Sequence, residues 1–514
     1  MRFVLYFCSV VLIFLAGCEI PAVNSPYPEQ AADDVILYTS FSLRPKHLDP
    51  AKSYSSNEAS FTGQIYEPPY QYHYLKRPYT LEPLTATSLP SIHYFDEHDI
   101  EVSEEDTSSK VAYSVYQITI KPNILYQPHP AFATDEQGML LYHQLTDDEV
   151  DDIDKLSDFD KQDTRELIAE DYVYQIKRLA HPDLHSPILG VMSEYIMGLA
   201  DYAALLRSEN QSGKVIDLRR SAISGVTEID RYTYQIKVIG KYPQLRYWLA
   251  MPFFAPVPWE ADSFYAQAGL IKKNITLDWY PVGTGPYQLT ENDPNSRMVL
   301  EKNSNFHAEY YPEEGEPTDL ALGLLDDRGK KLPFIDKVVF TLEKENTSYW
   351  NKFLQGYYDI SGISSDSFDQ AIQVASKGEF LLSDAMKEKG IALKTAIAAS
   401  TSYIGFNMQD PIVGGYSDAS KNLRQAISIA VDYEEYISIF LNGRGIPAQG
   451  PIPPGIFGYS DGEAGLNHQV YDWEQHAAKR KSLDKARELL VKAGYPAGRS
   501  QKTGEPLTLY FDVP

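Results

Sequence analysis

Pro281-Val282-Gly283-Thr284-Gly285-Pro286-Tyr287 is the stretch on which the reading of the fold depends. Two glycines flank a threonine, which permits unusual backbone angles and close approach of neighbouring chain, while Pro286 fixes the exit. The run reads as a sharp structural turn leading into a strand at Tyr287-Gln288-Leu289. A phosphate-cradling nest is the alternative, and no helix N-terminus follows to complete one.

Outward from this turn, apolar runs and alternations predict strands at Val35 to Tyr38, Tyr113 to Ile120, Tyr232 to Ile239, Met298 to Glu301, Lys337 to Leu342 and Leu507 to Phe511. Helical periodicity appears at Ala169 to Ala180, Thr347 to Gln355, Leu423 to Leu441 and Leu483 to Ala493. Asp432 or Asn422 could cap parts of the third helix, which ends at Asn442-Gly443, and the last ends at Gly494 with Pro496 beyond. Strands alternating with helices predict α/β lobes.

The chain has 514 residues, too many for one ordinary core, so two or more lobes are expected. At 43% hydrophobic and 12% aromatic its composition is that of a folded protein. The formal net charge of −25 argues against nucleic acid or anionic headgroups as partners. An acidic stretch, Leu145 to Asp163, reads as a solvated surface insertion; it lacks the glycine that a calcium loop needs for its tight turn.

The N-terminus is informative. Arg2, the apolar run Phe3 to Phe14 and Leu15-Ala16-Gly17-Cys18 read as a lipoprotein-type export signal, too short to span a bilayer comfortably, with an ordinary cleaved signal and an incidental cysteine as the alternative. Residues 1–17 are expected to be removed, Cys18 to be lipidated, and 18–33 to form a flexible tether. The other cysteine, Cys8, lies in the signal, so no disulfide or thiolate metal site is expected in the mature fold. The lipid would be the only membrane anchor.

Enzyme signatures are not found. There is no Gly-x-Ser-x-Gly elbow, phosphate-binding Gly-rich loop ending in Lys-Ser or Lys-Thr, or His-Glu-x-x-His. His181 and His185 have helical metal-ligand spacing, but Pro182 and Pro187 favour a loop there. Trp259-Glu260-Ala261-Asp262 is read as packing by Trp259 and a helix cap or surface charge at Asp262.

Ordered fragments along the chain resemble the family 5 extracellular solute-binding proteins, the peptide receptors of ABC importers. They are Leu48-Asp49-Pro50, Ile65-Tyr66-Glu67, Leu167 to Tyr174 with Ile176 to Leu179, and Gly283 to Tyr287. Further along come Phe353 to Gly356 with Tyr358-Asp359, Ile404 to Met408, Leu423 to Ile427 with Ala430 to Asp432, and Gly443 through Pro451 to Gly455. The resemblance implies a two-lobed α/β periplasmic binding protein fold, type II, of the large peptide-binding class. Lobe I with an inserted subdomain is expected over 34–290 and lobe II over 291–514.

Family members continue beyond the position matching Tyr510 to Pro514, carrying an arginine for the peptide carboxylate and a Trp-x-x-Asp segment for its α-ammonium. The second lobe is therefore expected to be incomplete, to expose apolar surface and to bind weakly. Ser40, Phe41 and Ser42 after the first strand, with Phe406 and Asn407 later, are the candidate cleft residues. For the two aromatics core packing is the competing reading; Asn407 is favoured as a buried amide that needs partners. The implied function is a monomeric, lipid-anchored periplasmic receptor that passes peptides to an ABC permease and uses no cofactor or metal. A nickel complex, haem, an antibiotic or a murein peptide are alternative ligands, and a secreted hydrolase or a sensory partner are alternative classes.

Overall fold

The computed structural model describes Tyr27 and residues 34–105, 110–212, 216–374 and 380–512. Cys18 and the signal lie outside the described residues. The chain divides into two compact units, the first running through Lys76 and over Thr80–Gly362, the second comprising Arg77–Tyr79 and the chain from Ile363.

Nine strands of the first unit build two sheets: β1 (Ile36–Phe41), β2 (Ser91–Phe95), β3 (Glu101–Val102), β4 (Tyr113–Thr119), β5 (Val226–Asp230), β6 (Thr233–Ile239), β7 (Tyr287–Asp293), β8 (Arg297–Lys302) and β9 (Lys337–Leu342). One sheet has the order β1-β9-β8-β7, with β1 parallel to β9 from Ile36↔Lys337 to Phe41↔Leu342 and the other pairs antiparallel. The other is antiparallel, β3-β2-β4-β6-β5. Alternation explains β6: Tyr234, Ile236 and Val238 are buried, while Gln235 and Lys237 are partly exposed. The domain boundary expected at 290/291 falls inside β7. The units part at Gly362/Ile363 instead, because β7, β8 and β9 complete the sheet that β1 begins.

Helix α1 (Ser56–Ile65) follows β1, and α2 (Ala169–Arg178) lies against the five-stranded sheet. At the start of α2, Asp171 accepts the Ile168 amide at 3.1 Å. Acids in the first turn of α2 and Lys177 and Arg178 in its last suit the helix dipole. Helix α2 buries Tyr172, Val173, Tyr174 and Ile176 in the main core with Tyr116, Tyr234, Ile236, Phe253 and Phe264; Phe264 lies on α3 (Trp259–Tyr265). Helix α4 (Asn346–Leu354) follows β9. Tyr27, inside the expected flexible tether, stacks on Tyr38 at 3.7 Å and donates its hydroxyl to the Tyr357 carbonyl at 3.0 Å.

The second unit contains α5 (Asp418–Ala430), α6 (Tyr433–Phe440) and α7 (Leu483–Lys492). Helices α5 and α7 pack together around Ala426, Ile429, Ala486 and Leu489. The single helix expected over 423–441 is two: the chain leaves helical geometry at Val431 and Asp432, and the Asp432 carboxylate caps α6 by accepting the Glu435 amide at 2.9 Å. The strand expected at Leu507 to Phe511 is not formed: the Leu507 amide donates to the Gly498 carbonyl at 2.7 Å, and no pairing among the described residues continues along the run. Leu509, Tyr510 and Phe511 are exposed there, as are Ile397, Tyr403 and Ile404 in the extended run before α5.

Candidate functional site

The turn around Thr284 is a buried fastening. The Gly285 amide donates to the Ile65 carbonyl at 2.9 Å, at the end of α1. A Cβ on Gly283 would overlap that same carbonyl oxygen, and one on Gly285 would crowd the Gln64 and Ile65 carbonyls. Neither glycine has a positive φ, so close approach, not an unusual backbone angle, excludes a side chain. The Thr284 hydroxyl donates to Glu67 Oε2 at 2.7 Å, and His307 Nε2 meets Glu67 Oε1 at 2.8 Å. Burial opposes a charge on His307, but the bond to Glu67 more than offsets it and raises the imidazole above its ordinary value. Pro286 and Tyr287 lead into β7, and Asn303 locks the exit by donating to the Gly285 carbonyl at 3.0 Å.

Two arginines join the remaining early fragments. Arg178, 1% exposed, grips Asp49 through Nη2 at 2.7 Å and Nη1 at 3.0 Å, and reaches Asp262 through Nε at 3.0 Å. Burial works against the ionised Asp49 carboxyl, yet Arg178 and the Ala51 amide hold it below the usual range. Arg165 makes paired hydrogen bonds to Asp171 (2.6 and 2.9 Å) and to Glu260 (2.7 Å each). Asp262 is thus neither a cap nor a surface charge: it sits within α3, accepts Tyr174 OH at 2.7 Å and completes the Arg178 cluster. Trp259 packs against the main core and under the Arg219 guanidinium at 4.2 Å. The fragments quoted from the sequence therefore contain much of the scaffold that holds the first unit together.

The candidate cleft residues lie in separate units. Ser40 is paired with Thr341 in the sheet, and Ser42 is exposed just past β1. Phe41 is a core residue, edge-on to Phe61 at 6.0 Å. Phe406 lines a small cavity of about 140 Å³ with Ile427, Val431 and Tyr471. Asn407 is exposed, and its side-chain oxygen accepts the Gln409 amide at 3.0 Å; the buried amide expected there is a solvent-facing turn. No amide from 392 to 406 donates a hydrogen bond within the described structure.

The histidines do not suggest catalysis. Tyr265 OH is committed to the Tyr280 carbonyl at 2.6 Å, so the buried His129 donates from Nε2 to the Tyr265 oxygen and accepts the Ala131 amide at Nδ1. Burial pushes its pKa down to about 3 and keeps the ring neutral. His181 lies in a turn and accepts the Asp183 amide at 3.3 Å, and His185 has a positive φ of 50°. Among the described residues no three His, Cys, Asp or Glu side chains are grouped to hold a metal, and no helix is long and apolar enough to cross a membrane.

Arg165, Glu260 and His307 were missed by the sequence reading. Glu260 and His307 find their partners in distant segments, while Arg165 links Asp171, six residues on, to Glu260.

This scaffold defines a class. The Helicobacter pylori ABC transporter-associated periplasmic binding protein DppA, solved in complex with peptide STSA, matches with a TM-score of 0.55 at 17% identity, over 92% of this chain and 69% of that one. The Escherichia coli murein tripeptide binding protein MppA matches with a TM-score of 0.53 at 17% identity, over 91% and 68%. The fold is the mixed α/β fold of these two-lobed periplasmic binding proteins.

The profile described as bacterial extracellular solute-binding proteins, family 5 Middle, matches residues 162–513, and the chain belongs to that family. The dipeptide-binding protein of Escherichia coli K12 is 23% identical over 338 residues, 66% of this chain and 49% of that protein. Heme-binding protein A of Haemophilus influenzae is 23% identical over 282 residues, 54% and 40%. The chain spans about half the length of the curated relatives it matches.

Proposed function

We propose that the protein is the receptor of an ABC importer, that it captures short peptides without cleaving them, and that a lipid on Cys18 tethers it outside the cytoplasmic membrane. The observation that carries this reading is the family match over residues 162–513, together with relatives named for dipeptides and oligopeptides. The physical support is the run 392–406, which belongs to no helix or strand. Its unengaged amides can pair with a peptide main chain as one strand pairs with the next, independently of side-chain identity. Of the candidate residues, the exposed Ser42 of the first unit and Phe406 and Asn407 of the second remain the proposed ligand-facing positions.

Calorimetry of the full-length gene product against a short-peptide library should give saturable binding, with the peptide recovered intact by mass spectrometry. Binding of sugars or metal complexes alone, or recovery of cleaved peptide, would overturn the reading. Fatty-acid labelling that survives a Cys18→Ala change would overturn the tether. A haem ligand is the second reading, favoured by the similarity to heme-binding protein A. It predicts a shifted Soret band on titration with haem, competed by no peptide.

A further inference from the structure

An open pocket of about 1150 Å³ in the first unit, between the segment after β1, the start of α1 and the β7–β8 turn, is unused by the peptide reading. In a chain with 71 Asp and Glu against 46 Lys and Arg, its lining has the opposite balance. Arg44, Lys46, Lys52 and Lys273 line it against one carboxylate, Glu58.

That carboxylate is already answered. Glu58 accepts the amides of Lys46 and His47 at 2.9 Å each, the Ser53 hydroxyl at 3.2 Å, and the amides of Tyr54 and Ser55 at 3.1 and 3.3 Å. Asp278, close by, is taken by Lys52 at 2.7 Å and faces His47 at 3.3 Å. Lys273 is placed by the carbonyls of Asp151 and Ile153 at 2.7 and 2.8 Å, with Asp154 3.5 Å away.

Two cations remain. The Arg44 guanidinium is held by the neutral side-chain oxygen of Asn295 at 2.6 Å. Lys46 Nζ has no partner among the described residues. The fork of Arg44 beside a lysine matches a phosphate or carboxylate group. Trp279 and Tyr280 supply aromatic surface in the same lining.

We propose that this pocket binds a small phosphorylated solute with a planar ring, of the nucleoside monophosphate type. The phosphate would meet Arg44 and Lys46, and the ring Trp279 and Tyr280.

The test is a titration of the full chain at low salt with adenosine 5′-monophosphate, adenosine and inorganic phosphate. The monophosphate should bind with one-to-one stoichiometry and weaken as salt is raised, because the attraction is screened. Adenosine and phosphate, each lacking half of the recognised chemistry, should bind about tenfold more weakly or worse, equivalent to about 1.4 kcal/mol. The double change Arg44→Glu with Lys46→Glu, at two exposed positions, should abolish nucleotide binding while the melting temperature stays put. Trp279→Ala should reduce the monophosphate to the affinity of phosphate alone. No binding of the monophosphate at about 10 mM, a range where only very weak contacts go undetected, would overturn the proposal. So would binding that survives the charge reversal, or phosphate binding as tightly as the nucleotide. None of these outcomes depends on whether peptides bind.

Discussion

At Gly283 the space for a side chain is occupied by the Ile65 carbonyl, so Gly283→Ala must push α1 away from the turn. Thr284→Val is gentler, removing one hydroxyl and leaving Glu67 with an unmet oxygen. A cost of roughly 1–3 kcal/mol is expected for Thr284→Val, and more for Gly283→Ala. Urea midpoints will rank them, and equal midpoints for wild type and both variants would refute the fastening.

The same scale fixes two opposite responses to pH. His307 is raised, so its bond to Glu67 contributes fully below about pH 6.5 and is lost as pH rises through the raised value. His129 is depressed to about 3, so as pH falls below the ordinary histidine value the unfolded chain takes up a proton that the folded chain refuses. That removes stability at up to roughly 1.4 kcal/mol per pH unit on the way down. Replacing His129 by Gln, which can still donate and accept, should flatten the acid limb of a stability–pH curve; an unchanged slope would show that His129 is not its source.

Among the elements, β4, β6, α2 and α7 were legible because their burial is periodic and local: each strand or helix shows its own apolar face in its own letters. Val431-Asp432 was ambiguous for the same reason. Apolar periodicity continues through it, and only the cap geometry at Asp432 divides α5 from α6. Leu507 to Phe511 has the composition of a strand, but a strand exists only with a partner, which no local pattern reports. The run 392–406 illustrates the point further. Hydrogen exchange should find its amides unprotected, in contrast to β4 and β6, whose amides are paired along the sheet. Slow exchange there in the ligand-free protein would contradict the structure; slow exchange appearing only with bound peptide would support the proposed strand pairing.

Across the whole molecule, charges that look like surface in the sequence turn out to be gathered into one cluster, with Asp49 and Arg178 buried and Asp262 partly so. Asp49, Arg178 and Asp262 are far apart in the chain, and nothing near Asp262 distinguishes it from a helix cap. The candidate ligand residues were less legible still: Phe41 is packed against Phe61, and Asn407 faces solvent. Arg178→Met should cost about 3–5 kcal/mol, because Asp49 would be left buried and unpaired. Changing Asp49 to Asn in the same protein should recover part of that loss, and thermal melts of the single and double variants check it.

The ring of Tyr27 stacked on Tyr38, with its hydroxyl on the Tyr357 carbonyl, would have a mechanical meaning for the proposed lipid tether. Asp34 lies 16 residues from Cys18 and Tyr27 only 9, so fixing Tyr27 cuts the greatest possible reach from Cys18 from about 55 Å to about 30 Å. On the proposed lipid tether at Cys18, the receptor would stay in a thin layer over the membrane with the Tyr38 edge of its first unit toward the lipid.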